Sequence, residues 1–184
     1  MLALTLLAIL LAGGLYMYRR NAVGPAQPRV AMTTEDIKRH WRELGFFCEL
    51  DVEKQVWTLT GSRAGLLHFS DLLRGFVLDP GNATNGERKH YGPYGSLEIM
   101  TWADAGFDGN AIRGSLPDLD RLANLVETKL AVAEPGSTIR LREEFAPDSR
   151  YALLLDVRAD GFDPASADPE RLGSASQPKP PPSK

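Results

Sequence analysis

The densest group of side chains suited to binding or chemistry lies between residues 88 and 94. Arg88, Lys89, His90, Tyr91 and Tyr94 surround a Gly-Pro pair and stand directly before an apolar stretch. Tyrosine and arginine contribute more than most residue types to the energetics of protein interfaces. These five residues are therefore predicted to bind a protein partner. In the alternative interpretation, the two tyrosines fold back over the end of a sheet, and the Gly-Pro pair only makes the turn.

Catalysis would need other groups, and the histidines are the first candidates. The three histidines, His40, His68 and His90, stand at separations that match no metal-ligand motif. His68 and Asp71 lie three positions apart on a predicted helix, where a base and its orienting carboxylate could stand, but no nucleophile is recognisable beside them. The sequence also lacks a nucleophile elbow, a phosphate-binding loop and a dinucleotide fingerprint. We therefore expect a non-catalytic protein without cofactor or metal. The alternative is a small, hydrolase-like enzyme that uses His68 or His90 with nearby carboxylates.

Charge and cysteine content exclude two further classes of protein. The 184 residues carry 21 basic and 24 acidic side chains, a formal net charge of −3. Such a balance lacks the basic surface that nucleic-acid binding requires. The single cysteine, Cys48, cannot form an internal disulfide and is expected to be a small buried hydrophobic residue.

The N-terminal segment has the composition of a membrane anchor. Residues 2–18 carry no charge and would span about 26 Å as a helix, close to the thickness of a bilayer core. Arg19 and Arg20 follow directly, so the positive-inside tendency places the following domain in the cytoplasm. The alternative is a cleaved signal peptide, with an exported or periplasmic domain. We assign residues 1–20 to the anchor and residues 21–32 to a linker.

Capping residues and apolar periodicity predict three helices after the linker. They begin at Thr33 or Thr34, at Ser62 and at Ser115, and end near Gly45, Val77 and Pro135. Alternating apolar residues predict five strands, at residues 46–50, 55–60, 97–102, 138–145 and 150–158. Residues 79–95 and 103–114 are predicted to be irregular.

These elements predict an α+β fold for residues 33–165. We expect a central, mostly antiparallel sheet of about five strands, two helices on one face and the first helix at an edge. Residues 166–184 are rich in Pro, Ser and Lys and are predicted to be disordered. A third functional alternative is thus a membrane tether that recruits partners through this tail.

One resemblance adds a more specific expectation. The run from His90 to Tyr94, the strand from Leu97 to Trp102, and Gly114-Ser115-Leu116 opening a Leu-rich helix resemble small bacterial α+β proteins of the polymorphic-toxin immunity type. The resemblance covers roughly residues 44 to 163. It implies a non-catalytic protein whose partner is a cognate toxin that it binds and neutralises, and the predicted N-terminal anchor departs from the usual soluble form of these proteins.

Overall fold

The computed structural model of the chain describes residues 32–168. The predicted anchor, nearly all of the predicted linker and the tail from residue 169 lie outside this range. Within it, no helix combines the length and the apolar character that crossing a bilayer requires.

The first of two sheets joins strands from both ends of the described chain. Its strands are β1 (Phe47–Asp51), β2 (Val56–Ser62), β7 (Thr138–Arg140) and β8 (Ala152–Arg158), in the order β1-β2-β8-β7. β1 and β2 form the predicted hairpin, and β7 pairs antiparallel with β8. β2 and β8 pair in parallel over seven positions. The middle of this sheet therefore forms between segments that are far apart in the chain.

The second sheet is built from the middle of the chain. Its strands are β3 (Arg88–Tyr91), β4 (Leu97–Thr101), β5 (Gly106–Phe107) and β6 (Ile112–Gly114), in the order β3-β4-β6-β5. β4 pairs antiparallel with β3 and in parallel with β6, while β5 and β6 are antiparallel. All five residues of β4 are buried, as expected of a strand with neighbours on both sides.

Residues 32–168 also form four helices: α1 (Thr34–Leu44), α2 (Arg63–Leu78), α3 (Leu116–Ala131) and the single turn α4 (Arg142–Phe145). α2 packs against β2, β8 and α3, and α3 also contacts β6. On α1, Trp41 packs against Phe47 of the outer strand β1, with ring centroids 4.8 Å apart.

The predicted starts of the long helices are confirmed by their caps. The side chains of Thr33 and Ser115 each accept a hydrogen bond from the backbone N–H of the third helical residue, and their own backbone N–H groups each donate one to its carboxylate, which makes two capping boxes. Ser62 accepts from the backbone of Gly65. Cys48 is buried, as expected, with 5% of its surface exposed.

Contacts between the sheets make one hydrophobic core. The indole Nε1 of Trp57, on β2, donates to the carbonyl of Asp108 at 2.8 Å. The Ser149 hydroxyl accepts from the backbone N–H of Phe107 and lies 2.5 Å from its carbonyl oxygen, so the segment before β8 is bound to β5. Buried side chains from both sheets and from α1–α4 belong to one cluster.

The α+β class and the mostly antiparallel pairing are confirmed, but the single sheet of about five strands is wrong. Two four-stranded sheets form instead. Residues 79–95 were expected to be irregular, yet they contain β3 and the 3₁₀ turns Pro80–Ala83 and Pro93–Gly95. Residues 103–114 likewise contain β5 and β6. The strand predicted over residues 138–145 ends at Arg140, because Arg142–Phe145 form α4. Strands of two to four residues are too short for alternation to be recognised.

Candidate functional site

The predicted binding residues lie on an edge strand and on the turn after it. Arg88, Lys89, His90 and Tyr91 form β3, the outermost strand of the second sheet. The first three are exposed and Tyr91 is half-buried. One side of β3 pairs with β4, and no other strand within residues 32–168 pairs with its outer side. The sequence therefore identified a surface segment, although as a loop and not as a strand.

One face of β3 carries a charge cluster that the sequence did not reveal. His90 lies opposite Glu98 of β4, and Arg88 is two residues before His90 on the same face. Nε2 of His90 lies 2.9 Å from Oε2 of Glu98. Nη1 of Arg88 lies 3.1 Å from Oε1, an ion-pair distance without the alignment of a hydrogen bond. Glu98 is only 8% exposed. The negative charge of Glu98 therefore partly neutralises the basic group that was predicted from the sequence.

The other face of β3 carries Lys89 and Tyr91. The Lys89 ammonium lies 5.9 Å from the centroid of the Tyr91 ring, within reach of a cation–π contact. Burial, and secondarily the negative charge of Asp79, raise the pKa of Tyr91 to about 12. The Tyr91 hydroxyl therefore keeps its proton at neutral pH. Its ring packs against the core, as the alternative interpretation expected for both tyrosines.

Tyr94 behaves differently from Tyr91. It is 63% exposed and has a φ of 59°, in the left-handed region. The only other non-glycine residue with positive φ in residues 32–168 is Gln55, in a hairpin turn. A bulky residue in this conformation is a strained one. Burial of its own side chain does not explain the strain, since most of that side chain faces solvent.

The turn that precedes Tyr94 holds β3 against α1. Gly92 has a φ of 75°, and a Cβ atom added to it would lie 3.0 Å from Cδ2 of Leu44. The turn thus approaches α1 closely. A residue with a side chain in place of Gly92 would have a strained φ and would also lie in close contact with Leu44.

A second glycine contact joins α1 to α2. A Cβ on Gly65, in the first turn of α2, would lie 2.0 Å from the carbonyl oxygen of Gly45, the left-handed cap of α1. Beside this contact, Nδ1 of His68 lies 2.9 Å from the carbonyl oxygen of Leu44. His68 is thus bound to the end of α1 and not to Asp71, the orienting partner considered from the sequence.

These glycine contacts bring the three histidines of the chain to one cleft. We call it the histidine cleft; its volume is about 350 Å³, and it lies between α1, α2 and the end of β3. Its lining residues are His40, Glu43, Leu44, His68, Leu72, His90, Tyr91 and Gly92. The separations between the histidines in the sequence do not indicate that they share a cleft. They lie 28 and 22 positions apart in the chain, so only the tertiary fold brings them together.

The residues that line the histidine cleft do not form a recognisable catalytic or metal centre. None of the eight lining residues is a serine, threonine, cysteine or lysine, the usual nucleophiles. Across residues 32–168, no group of three His, Cys, Asp or Glu side chains is arranged to hold a metal ion. The cleft offers hydrogen-bonding groups between apolar walls, which is the composition of a binding pocket.

Comparison with protein-family models, with curated proteins and with solved structures gave no match to this chain.

Proposed function

We propose that this chain is a non-catalytic protein-binding module, attached to the membrane by residues 2–18, and that its partner is a bacterial toxin that it neutralises. The observation that carries the binding proposal is Tyr94, an exposed aromatic residue in a strained conformation at the end of an exposed edge strand. Strain at an exposed residue is a cost that binding can offset.

β3 supplies the geometry for such an interface. An edge strand offers main-chain groups to which an extended segment of a partner can add as a further strand. The exposed Arg88, Lys89 and His90 side chains would give this pairing its specificity, since side chains along a strand alternate between the two faces. The binding surface is thus β3 together with Tyr94.

Electrostatics favour a mixed partner surface over a strongly acidic one. Glu98 lies under Arg88 and His90, so the net positive charge of this face is smaller than the sequence indicated. Lys89 lies on the other face of β3, away from Glu98. We expect a partner with an acidic group near Lys89 and with modest steering by long-range charge.

The toxin and the membrane attachment rest on the sequence. Residues 2–18 with Arg19 and Arg20 support the anchor, and the resemblance to immunity proteins supports the class of partner. An immunity protein held at the inner face of the membrane would meet its toxin where the toxin enters.

The experiment is co-expression of the full chain with the product of the adjacent gene, followed by pull-down and a growth assay. Tyr94→Ala should weaken binding by about 2 kcal/mol, roughly thirtyfold, if Tyr94 is a binding hot spot. Val52→Ala is the matched control, because Val52 is 60% exposed in the β1–β2 turn. Equal binding by the two variants would remove Tyr94 from the interface. Loss of binding on deletion of residues 170–184 alone would favour the tail-mediated tether.

A further inference from the structure

The histidine cleft lies beside the basic residues Arg88 and Lys89, yet its lining carries a negative charge. Neither of these residues lines it, and its only formally charged lining residue is Glu43. Nε of Arg39 lies 3.8 Å from the Glu43 carboxylate, but Arg39 also pairs with Asp36 at 2.6 Å. The Glu43 carboxylate, 64% exposed, is therefore only weakly neutralised.

For two of the three histidines, the neighbouring group favours one position of the proton on the neutral ring. A carbonyl oxygen only accepts hydrogen bonds, so Nδ1 of His68 carries the proton that it donates to Leu44. Nε2 of His90 lies 2.9 Å from Oε2 of Glu98, and because an ionised carboxylate only accepts, this contact favours a proton on Nε2. In the neutral rings, the remaining nitrogens, Nε2 of His68 and Nδ1 of His90, are hydrogen-bond acceptors.

The cleft thus presents acceptors on three separate elements. Glu43 stands on α1, His68 on α2 and His90 on β3, while Leu44 and Leu72 supply apolar surface between them. A planar guanidinium group carries five donors and is weakly hydrated, which suits acceptors that approach from several sides. A volume of about 350 Å³ accommodates such a group with its aliphatic stem.

We propose that the histidine cleft binds a guanidinium group on an aliphatic stem, which on the proposed protein-binding function is an arginine side chain of the partner. The position of the cleft at the end of β3 places this arginine next to a strand that adds to the sheet edge. The arginine would be the buried central residue of the interface, and β3 and Tyr94 would surround it.

The chain itself supplies the reporter for a test. Its three histidines all line the cleft, so a spectrum of full-length protein labelled with ¹³C only at histidine, and carrying no histidine tag, reports on this site alone. The protein is held in lipid nanodiscs and titrated with Nα-acetyl-arginine methylamide. The citrulline analogue has the same shape without the charge and is the matched ligand control. We expect saturable shifts with the arginine probe and at least tenfold weaker binding of the citrulline probe.

Variants separate the site from a general charge effect. Glu43→Gln should weaken binding of the arginine probe about tenfold, the scale of one charge-assisted hydrogen bond. Glu53→Gln, at an exposed position in the β1–β2 turn, should leave it unchanged. Equal responses to arginine and citrulline would overturn the proposal. So would preferential binding of inorganic phosphate, or stoichiometric binding of Zn²⁺ that a chelator reverses. If the arginine probe binds but the pull-down finds no protein partner, the guanidinium site in the cleft stands and the proposed protein-binding function is rejected. If a partner is found but the probe does not bind, only the guanidinium site is rejected.

Discussion

The left-handed conformation of Tyr94 leads to a prediction that separates folding from binding. A non-glycine residue in this conformation costs about 1–2 kcal/mol. Glycine removes that cost but loses about 0.5–1 kcal/mol through the greater entropy of the unfolded chain. Tyr94→Gly should therefore be more stable than Tyr94→Ala by roughly 0.5–1 kcal/mol, while both variants lose the partner contact alike.

The assay is urea unfolding of Tyr94→Ala and Tyr94→Gly, with the same pair of changes at Val52. Val52 is also exposed but is not among the positive-φ residues, so glycine there should be less stable than alanine by about 0.5–1 kcal/mol. In thermal unfolding, the stability difference at Tyr94 corresponds to about 2–4 °C for a domain of this size. A Tyr94→Gly protein less stable than Tyr94→Ala would refute the argument that this residue is strained.

Two other perturbations follow from the structure, and a third follows from the sequence. Gly65→Ala should destabilise the protein by about 3 kcal/mol or more, because its Cβ would meet the backbone of Gly45, whereas Gly75→Ala in the same helix meets open space and should stabilise it by about 0.5–1 kcal/mol. Urea unfolding of the two variants checks this, and equal effects would contradict the close contact. Hydrogen bonds from Ser115, and then Arg121, lower the pKa of Asp118, so its contribution to stability is present above the unfolded pKa of about 4 and is lost as pH falls through the lower folded pKa. The difference in unfolding free energy between the unmodified protein and Asp118→Asn should therefore shrink from pH 5 to pH 2. A constant difference would argue against the capping box. Deletion of residues 1–20 should release the protein from the membrane fraction, and an alkaline phosphatase fused after Pro28 should be inactive; high phosphatase activity would place the domain outside the cytoplasm.

Local signals explain which parts of the fold could be predicted from the sequence. The helices that follow Thr33, Ser62 and Ser115 were predictable because a cap, an apolar stripe and a stop signal coincide within one segment. The hairpin of β1 and β2 also depends on neighbouring residues. By contrast, β3, β5 and β6 are four residues or shorter, and their conformation depends on strands beside them that the sequence does not specify locally.

The candidate site was predictable only in part for the same reason. The exposed residues of β3 could be found from their types, since a dense group of aromatic and basic side chains is a local feature. Glu98 could have been found by pairing residues 88–91 with the following strand, which places it opposite His90. The histidine cleft had no local signal, because Gly45, Gly65 and Gly92 create it through contacts between separate elements.

The parallel pairing of β2 with β8 has a consequence for the protein during synthesis. Ser62, the last residue of β2, pairs with Arg158, so the ribosome must add 96 further residues before the pair can close. At ~5–20 residues per second this takes roughly 5 to 20 seconds. Throughout that interval the β1–β2 hairpin has an unpaired edge that can associate with other nascent chains. Slow translation should therefore lower the soluble yield of this protein, and a chaperone that covers nascent strands should restore it.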